Sequence, residues 1–257
     1  MVVEDYSEGL QYLKSEISRT ELTCRTDDKF LLRFLRAKKC DSKRAFTLLQ
    51  NYYFVRRRYS HVFSNFVPSS VRDILQSGVF EVLSQCDQLG RKIFVGRVSR
   101  WEVYKHNVID LLRANLMILE TLLEEVEVQQ NGIVIIYDCR GFTWRHAIQF
   151  TPRVIYLITK LLESTFPVRY KEMHIVYMHA LAKNVVSFIK PLMTKKMKKR
   201  VHLHDNCMQQ LHSFLSKNCL PEEYGGELKN QDFRIFLEKV LNLEEEFGYH
   251  QKYWTEN

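Results

Sequence analysis

Apolar residues recur at helical spacing through the first 65 positions of the chain. The first stripe consists of Phe30, Leu31, Phe34 and Leu35, and arginine and lysine side chains lie between its members. Asp41 or Ser42 then offers an N-cap for a second helix over residues 45–53. The segment Phe66–Ser70, FVPSS, is a candidate joint because proline and serine interrupt the pattern. We therefore predict a small helical domain over residues 1–68 and a second domain over residues 69–257.

Beyond the joint, short β-branched runs alternate with longer helical patterns. The runs Lys92–Val98, Gly132–Tyr137 and Met173–Met178 are typical of strands. Helical spacing extends from about Val108 to Val128 and from about Thr151 to Ser164, with a proline near the start of the second helix. Alternating strands and helices predict an α/β domain with a mostly parallel sheet flanked by helices.

The segment Leu181–Arg200 combines a broad apolar helix with a basic tail. In a helix, Leu181, Val185 and Phe188 share one stripe, and Ala182, Val186 and Ile189 share the neighbouring stripe. This width fits either a buried core helix or a lid that covers a cavity on one side and meets lipid on the other. Six cations without an acid follow over residues 190–200. Such a basic run is suited to an anionic membrane surface, although it also occurs on ordinary solvated faces.

The charge of the chain limits the classes of partner that it is expected to bind. Thirty-eight lysine and arginine residues against thirty aspartate and glutamate residues give a net charge of +8, which favours an anionic partner. The basic run carries no interleaved base-stacking aromatics, and no zinc-finger or RNP pattern accompanies it, so we expect no nucleic-acid binding. The longest apolar run, Ile133–Tyr137, is far shorter than the roughly 20 residues of a membrane-spanning helix. Any membrane contact is therefore expected to be peripheral.

Signatures of catalysis, cofactors and metals are missing from the sequence. It contains no Walker A loop, dinucleotide fingerprint, HExxH or GxSxG motif, so we predict a non-enzyme without a cofactor. On a strand, His202 and His204 would point the same way, but no carboxylate or cysteine lies at metal-ligand spacing from them, and Asp138 is expected to be a satisfied loop carboxylate. Six scattered cysteines without a CxxC pair favour a reducing, cytoplasmic setting.

Several segments together resemble one protein family. The chain is similar to CRAL-TRIO lipid-transfer proteins, in the expected order from about Thr26 to beyond Leu228, through the segments DDKFLLRFLRAKKCDSKRAFTLLQNYY, NGIVIIYDCRGFTW, FIKPLMTKKMKKRVHLHD and LPEEYGGEL. The resemblance implies a CRAL-TRIO type domain with a mobile lid helix over an apolar cavity. It further implies a carrier that binds one hydrophobic small molecule and releases it at phosphoinositide-containing membranes. Two alternatives stay open: a phosphatidylinositol or phospholipid exchanger of the same fold, and a phosphoinositide-reading module without transport.

The resemblance also implies a set of ligand-binding residues. They are Leu112, Asn115, Leu116, Leu119, Ile133, Tyr137, Ile158, Leu161, Leu162, Phe166, Tyr170, Met173, Ala182, Val186 and Ile189. The helical members independently share the spacing of one face, although each would also fit an ordinary core. Cargo resembling tocopherol or a retinoid is implied, and Asn115 offers a hydrogen bond to a hydroxyl or carbonyl group of such a molecule.

The resemblance also implies two sets of surface residues. The implied phosphoinositide-binding residues are Lys38, Arg169, Lys171, Lys196 and Arg200, all of them cationic as a phosphate headgroup requires. The implied membrane-contact residues are Trp144, Ile148, Leu181, Val185 and Phe188, which should be partly exposed. The oligomeric state stays open.

Overall fold

A computed structural model describes residues 6–204, 208–229 and 234–255. The helices before the sheet are α1 (Ser7–Arg19), α2 (Asp28–Ala37), α3 (Ser42–Arg58), α4 (Ser60–Phe63) and α5 (Arg72–Gln76). Those between strands are α6 (Val108–Leu122), α7 (Val126–Asn131), α8 (Trp144–Ala147), α9 (Pro152–Glu163), α10 (Ala180–Ile189) and α11 (Lys195–Lys198). The last are α12 (Met208–His212), α13 (Arg234–Leu241) and α14 (Glu244–His250).

The strands form one sheet in sequential order. They are β1 (Phe80–Cys86), β2 (Lys92–Arg97), β3 (Ile133–Asp138), β4 (Tyr170–Val176) and β5 (Val201–Leu203). The first pair is antiparallel, whereas β2 through β5 run parallel and are joined by helical crossovers. The predicted α/β class with a mostly parallel sheet is thus confirmed.

The apolar run of β3 divides between two cores. Ile133 and Ile135 belong to a large core on the side of α6, while Val134 and Ile136 belong to a smaller core on the other face. Successive side chains of a strand point to opposite faces, so burial on both faces requires a continuous apolar run. This is why the strand reads as IVIIY and not as an alternating pattern.

The long predicted helix beginning at Val108 is interrupted. An Asn107 capping box starts α6, which ends at Leu122, and α7 begins only at Val126. The other long helix, α9, is capped by Thr151 and carries Pro152 in its first turn, close to the predicted bounds.

The N-terminal helices pack against α6 through buried ion pairs. Arg56 is fully buried and places Nη2 2.5 Å from Glu120 Oε1, and Tyr52 Oη donates to the same oxygen at 2.6 Å. Arg33 lies 3.5 Å from the second Glu120 oxygen. The Trp254 indole donates to the Phe63 carbonyl at 3.1 Å, so the C-terminal segment also packs on the helical unit. The boundary at residue 68 stays a prediction, because one continuous core includes both sides of it.

Candidate lipid-binding site

An apolar cavity of about 230 Å³ lies between the sheet and helices α6, α9 and α10. This volume exceeds the roughly 150 Å³ of an engineered apolar protein cavity that stays dry and binds benzene. Its walls are built by elements that the sequence pattern arranges for burial on one face: α6 and α9 are both amphipathic, and their apolar stripes turn toward the sheet.

Eleven of the fifteen residues predicted to bind cargo line this cavity. They are Leu112, Asn115, Leu116, Tyr137, Ile158, Leu161, Leu162, Tyr170, Met173, Val186 and Ile189. The fold brings them together from three helices and two strands. Their contact with a cargo molecule stays a prediction, now supported by a common cavity.

The other four predicted residues lie outside the cavity lining. Leu119 is buried one turn beyond Leu116, where α6 turns toward the N-terminal helices, and Ile133 is buried at the start of β3. The Phe166 ring lies 6.1 Å from the Tyr52 ring and packs on Arg56, so it contributes to the charged interface described above. Ala182 is buried in the first turn of α10. Helical spacing and strand alternation select the right face but do not show where along an element the cavity ends.

Several wall residues were not predicted from the sequence. They include Phe80 and Gly96 from the first two strands, Trp101 and Phe150 from the connecting segments, and Met193 after α10. Most belong to segments without a regular apolar period, and the antiparallel strand β1 carries no β-branched run. Only tertiary contacts bring them to the cavity.

Helix α10 closes one side of the cavity. Val185, Val186 and Ile189 face inward, while the Phe188 side chain is 68% exposed. Val185, which was predicted to contact the membrane, lines the cavity and is also partly exposed, so its membrane contact stays a prediction. Leu181 is half-buried. The helix is followed by a short 3-10 turn over Lys190–Leu192 that contains Pro191.

Exposed apolar side chains continue from α10 to α8. Trp144 and Ile148 are exposed at 59% and 61%, and α8 contacts α10 directly. Tyr104 and Leu192, which the sequence did not single out, are exposed at 76% and 54%. We call Trp144, Ile148, Phe188, Tyr104 and Leu192 the exposed apolar surface. Its mixture of aromatic rings and aliphatic groups fits the interfacial region of a bilayer.

The five predicted phosphoinositide residues converge from three segments. Lys38 and Lys196 are close enough to repel each other electrostatically. Arg169 in the same way repels Lys171, Lys196 and Arg200. Lys39 and Arg44, near the start of α3, add two further cations to the same group. We call these seven residues the cationic cluster. Sequence analysis found five of its members, and only the packing of the N-terminal helices against β4 and α11 reveals the other two.

Burial and like charge both act on the cationic cluster. Burial is the first cause that lowers the pKa of Lys171, followed by the charges of Arg169 and Arg200. The pKa of Lys196 is lowered in the same way, by burial and then by Arg200 and Arg44. Glu172, the carboxylate adjacent to Lys171, is held by Arg91 at 3.1 Å. A bound polyanion would relieve this repulsion, and the cluster is therefore a candidate phosphate site.

The remaining polar candidates have structural partners. Asp138 is buried, receives hydrogen bonds from Arg140 and accepts one from the Tyr224 hydroxyl at 3.2 Å, as expected for a satisfied carboxylate. His202 and His204 stack near His174 behind the sheet, and among the described residues no group of three potential ligands is arranged for a metal ion. Burial raises the pKa of the cavity thiol Cys139 to about 12, so this thiol is protonated at neutral pH. No helix in the described ranges has the length and apolar content required to cross a bilayer.

Comparisons with known proteins agree with this architecture. Residues 76–226 match the CRAL/TRIO domain. Alpha-tocopherol transfer protein-like from Mus musculus is 38% identical over 226 residues, which cover 88% of this chain and 66% of that protein. Clavesin-1 from Xenopus laevis is 36% identical over 223 residues, which cover 84% of this chain and 66% of that protein. The chain thus spans about two thirds of the length of these curated relatives.

A solved structure extends the likeness to the whole fold. The crystal structure of Sfh5 matches with a TM-score of 0.62 at 14% identity and covers 96% of this chain and 98% of that one. At this identity the match concerns the fold alone. The chain is thus an α/β protein with a mostly parallel sheet and an apolar cavity under helix α10. Within that class, the chain belongs to the CRAL/TRIO domain family of lipid-binding and lipid-transfer proteins.

Proposed function

We propose that this protein carries one hydrophobic small molecule in its cavity and releases it at membranes that contain phosphoinositides. The cavity under α10 is the observation that carries the proposal, because its walls are apolar over nearly their whole extent. Burial of about 400 Å² of apolar ligand surface would contribute on the order of 10 kcal/mol at roughly 25 cal/mol per Å². A cavity that retains such a cargo must open further to release it, so release requires a second state.

Membrane contact supplies a physical cause for that second state. The exposed apolar surface includes Phe188 on α10, the same helix that closes the cavity through Val186 and Ile189. A bilayer that binds α10 more strongly in an open position than in the closed one shifts the helix toward opening. The cationic cluster would meanwhile hold an anionic phosphoinositide headgroup beside the opening.

Charge reversal in the cationic cluster tests this proposal. Lys171→Glu and Lys196→Glu should each weaken binding to vesicles that contain phosphatidylinositol bisphosphate, because each cation near an anionic leaflet contributes about 1 kcal/mol. Reversal replaces attraction with repulsion, so we expect roughly 5- to 30-fold weaker partitioning, with a larger effect at low salt. Cosedimentation with such vesicles measures it.

Lys217→Glu is the matched control. Lys217 is exposed on a 3-10 turn beside β1, at the opposite edge of the sheet from β5, and its reversal gives the same change in net charge. If Lys171→Glu and Lys196→Glu bind these vesicles as well as wild type does, the assignment of the phosphate site is contradicted. If Lys217→Glu loses as much vesicle binding as Lys196→Glu, net charge and not the cationic cluster causes the effect.

A further inference from the structure

An uncompensated cation lies within the exposed apolar surface. The Arg145 guanidinium carbon is 4.5 Å from the centroid of the Tyr104 ring and 5.3 Å from that of the Trp144 ring. In the part of the chain that the structure describes, the Arg145 side chain makes no ion pair or hydrogen bond. Aromatic rings attract a guanidinium without neutralising its charge, and they leave its N–H donors unused. Because Arg145 is exposed, these donors are accessible to a ligand.

A groove of about 490 Å³ lies beside this guanidinium. Its walls are residues 101–105 and residues 143–146, which include all but the last residue of α8. His146 connects the two walls: its Nδ1 accepts the Thr143 N–H at 3.0 Å, and its Nε2 lies 3.3 Å from the Trp101 carbonyl oxygen. The His146 ring also packs on the Trp101 ring, with the centroids 4.8 Å apart. The groove is therefore formed without a ligand.

The charge of the groove favours a ligand with one negative charge. Besides Arg145, its lining carries the charged side chains Lys105 and Glu102, which pair with each other at 2.6 Å. Burial lowers the pKa of His146, so this imidazole is neutral at pH 7. Among the lining residues, one positive charge is left without a partner, and a phosphodiester carries one negative charge. The planar guanidinium can bind such a phosphate through two parallel N–H donors.

The surroundings of Arg145 favour a phosphate that belongs to a bilayer. Tyr104 and Trp144 are both exposed, and the exposed apolar surface continues from them through Ile148 to Phe188 on α10. Tyrosine and tryptophan concentrate at the headgroup level of membranes, where their rings meet the acyl chains and their polar atoms meet water. A cation that is held by such rings lies at the depth of the lipid phosphates.

We propose that Arg145, together with Tyr104 and Trp144, binds the phosphodiester of a glycerophospholipid in the bilayer. This site shares no residue with the cationic cluster, and it recognises the phosphate common to glycerophospholipids instead of a phosphoinositide headgroup. The inference rests on the membrane contact of the proposed function and adds a second lipid class to it.

Vesicles with and without phosphate test the site. The full chain is mixed with vesicles of phosphatidylcholine or of digalactosyldiacylglycerol with the same acyl chains, neither of which carries a net charge, and cosedimentation measures partitioning. Wild type should prefer phosphatidylcholine. Arg145→Gln should weaken partitioning into phosphatidylcholine about 5- to 30-fold and leave partitioning into the glycolipid within about twofold, because it removes only the partner of the phosphate. Arg145→Lys, which keeps the charge without the planar donors, should lie between the two.

Arg58→Gln is the matched control. Arg58 is exposed at the end of α3 and is not part of the groove lining, so the same loss of charge should leave both partition coefficients unchanged. Equal partitioning of wild type into the two vesicles, or wild-type partitioning of Arg145→Gln, would overturn the site but not binding to phosphoinositide vesicles through the cationic cluster. Displacement from phosphatidylcholine by millimolar glycerophosphocholine would assign the site to a soluble phosphodiester and overturn the bilayer assignment. If wild type binds no vesicle of any composition, the proposed membrane contact fails as well.

Discussion

His174 shows how a single buried side chain links this fold to pH. It is fully buried behind the sheet, with Nδ1 3.0 Å from His204 Nε2 and Nε2 3.5 Å from Glu172 Oε2. Burial lowers its pKa to about 3, and the charges of His204, His202 and Arg91 act in the same direction. Because the folded pKa lies below the ordinary value of 6.5, His174 stabilises the fold fully above pH 6.5 and loses this contribution as the pH falls toward 3.

Replacement of His174 should therefore reduce the loss of free energy of unfolding that occurs as the pH falls. We expect His174→Gln to lose about 2–3 kcal/mol less free energy of unfolding than wild type between pH 7 and pH 4.5. Denaturant titrations at the two pH values measure the difference. His61→Gln, at an exposed position, should follow the wild-type profile. Parallel losses for His174→Gln and wild type would contradict the assignment.

Local periodicity predicted which wall residues share a buried helical face, whereas only the family resemblance predicted that this face borders a cavity. Leu112, Leu116 and Leu161 line the cavity because a helical stripe has one buried side and the neighbouring elements leave space there. Val185 lies between the two predicted stripes of α10, because it lines the cavity and is also partly exposed, and sequence alone does not show which arc of a helix faces inward.

At the scale of elements, α10 combines two surfaces with opposite surroundings. Its inner residues line the cavity, and Phe188 points outward beside the exposed α8. Strong periodicity made α10, α9 and the strands β2 to β4 predictable. The strand β5 was missed because it has only three residues, and β1 was missed because FEVLSQC lacks a β-branched run. Parallel pairing with β4 stabilises β5, and this pairing is invisible in local sequence.

Phe188→Asp tests the outer side of α10. Loss of an aromatic side chain that enters the bilayer removes about 1.5–3 kcal/mol, so vesicle partitioning should fall at least tenfold. Cargo binding should change little, because Phe188 is absent from the cavity wall. Cosedimentation and fluorescent-lipid displacement measure the two effects separately. Ile235→Asp, at a site 72% exposed on α13, introduces the same charge as a control. The proposed role of α10 fails if both variants partition alike.

At the scale of the whole molecule, helices α2 and α3 meet α6, a helix of the cavity wall, at one charged interface. Glu120 on α6 neutralises Arg56 and lies near Arg33, whose closer partner is Glu124, and Arg56 stacks on Tyr52, with its Cζ 3.3 Å from the ring centroid. The same packing brings Lys38, Lys39 and Arg44 to the cations of β4 and α11. The cationic cluster therefore depends on the assembly of both parts. Sequence patterns indicated the helical unit but not its contacts with α6 or with Trp254, because those contacts join distant segments.

Glu120→Gln should destabilise the molecule strongly. It leaves the buried Arg56 guanidinium without its carboxylate, whereas Arg33 keeps its pair with Glu124, and breaking a buried ion pair typically costs about 3–5 kcal/mol. Equilibrium unfolding in urea measures the loss. Glu102→Gln removes the exposed pair with Lys105 and should lower the free energy of unfolding far less, because water and salt screen a surface pair. Similar losses for the two variants would show that the buried interface contributes no more than a surface pair.

The most direct test of the account is native mass spectrometry of the full chain after incubation with lipid vesicles, with wild type compared against Leu161→Trp. Leu161 is buried in the cavity wall, and an indole there would fill the space that the cargo requires. If the protein is a carrier, each wild-type chain should hold one lipid molecule and Leu161→Trp little or none, while both proteins still bind anionic vesicles. A wild-type chain that remains empty, or a variant that takes up the same lipid equally well, would contradict it.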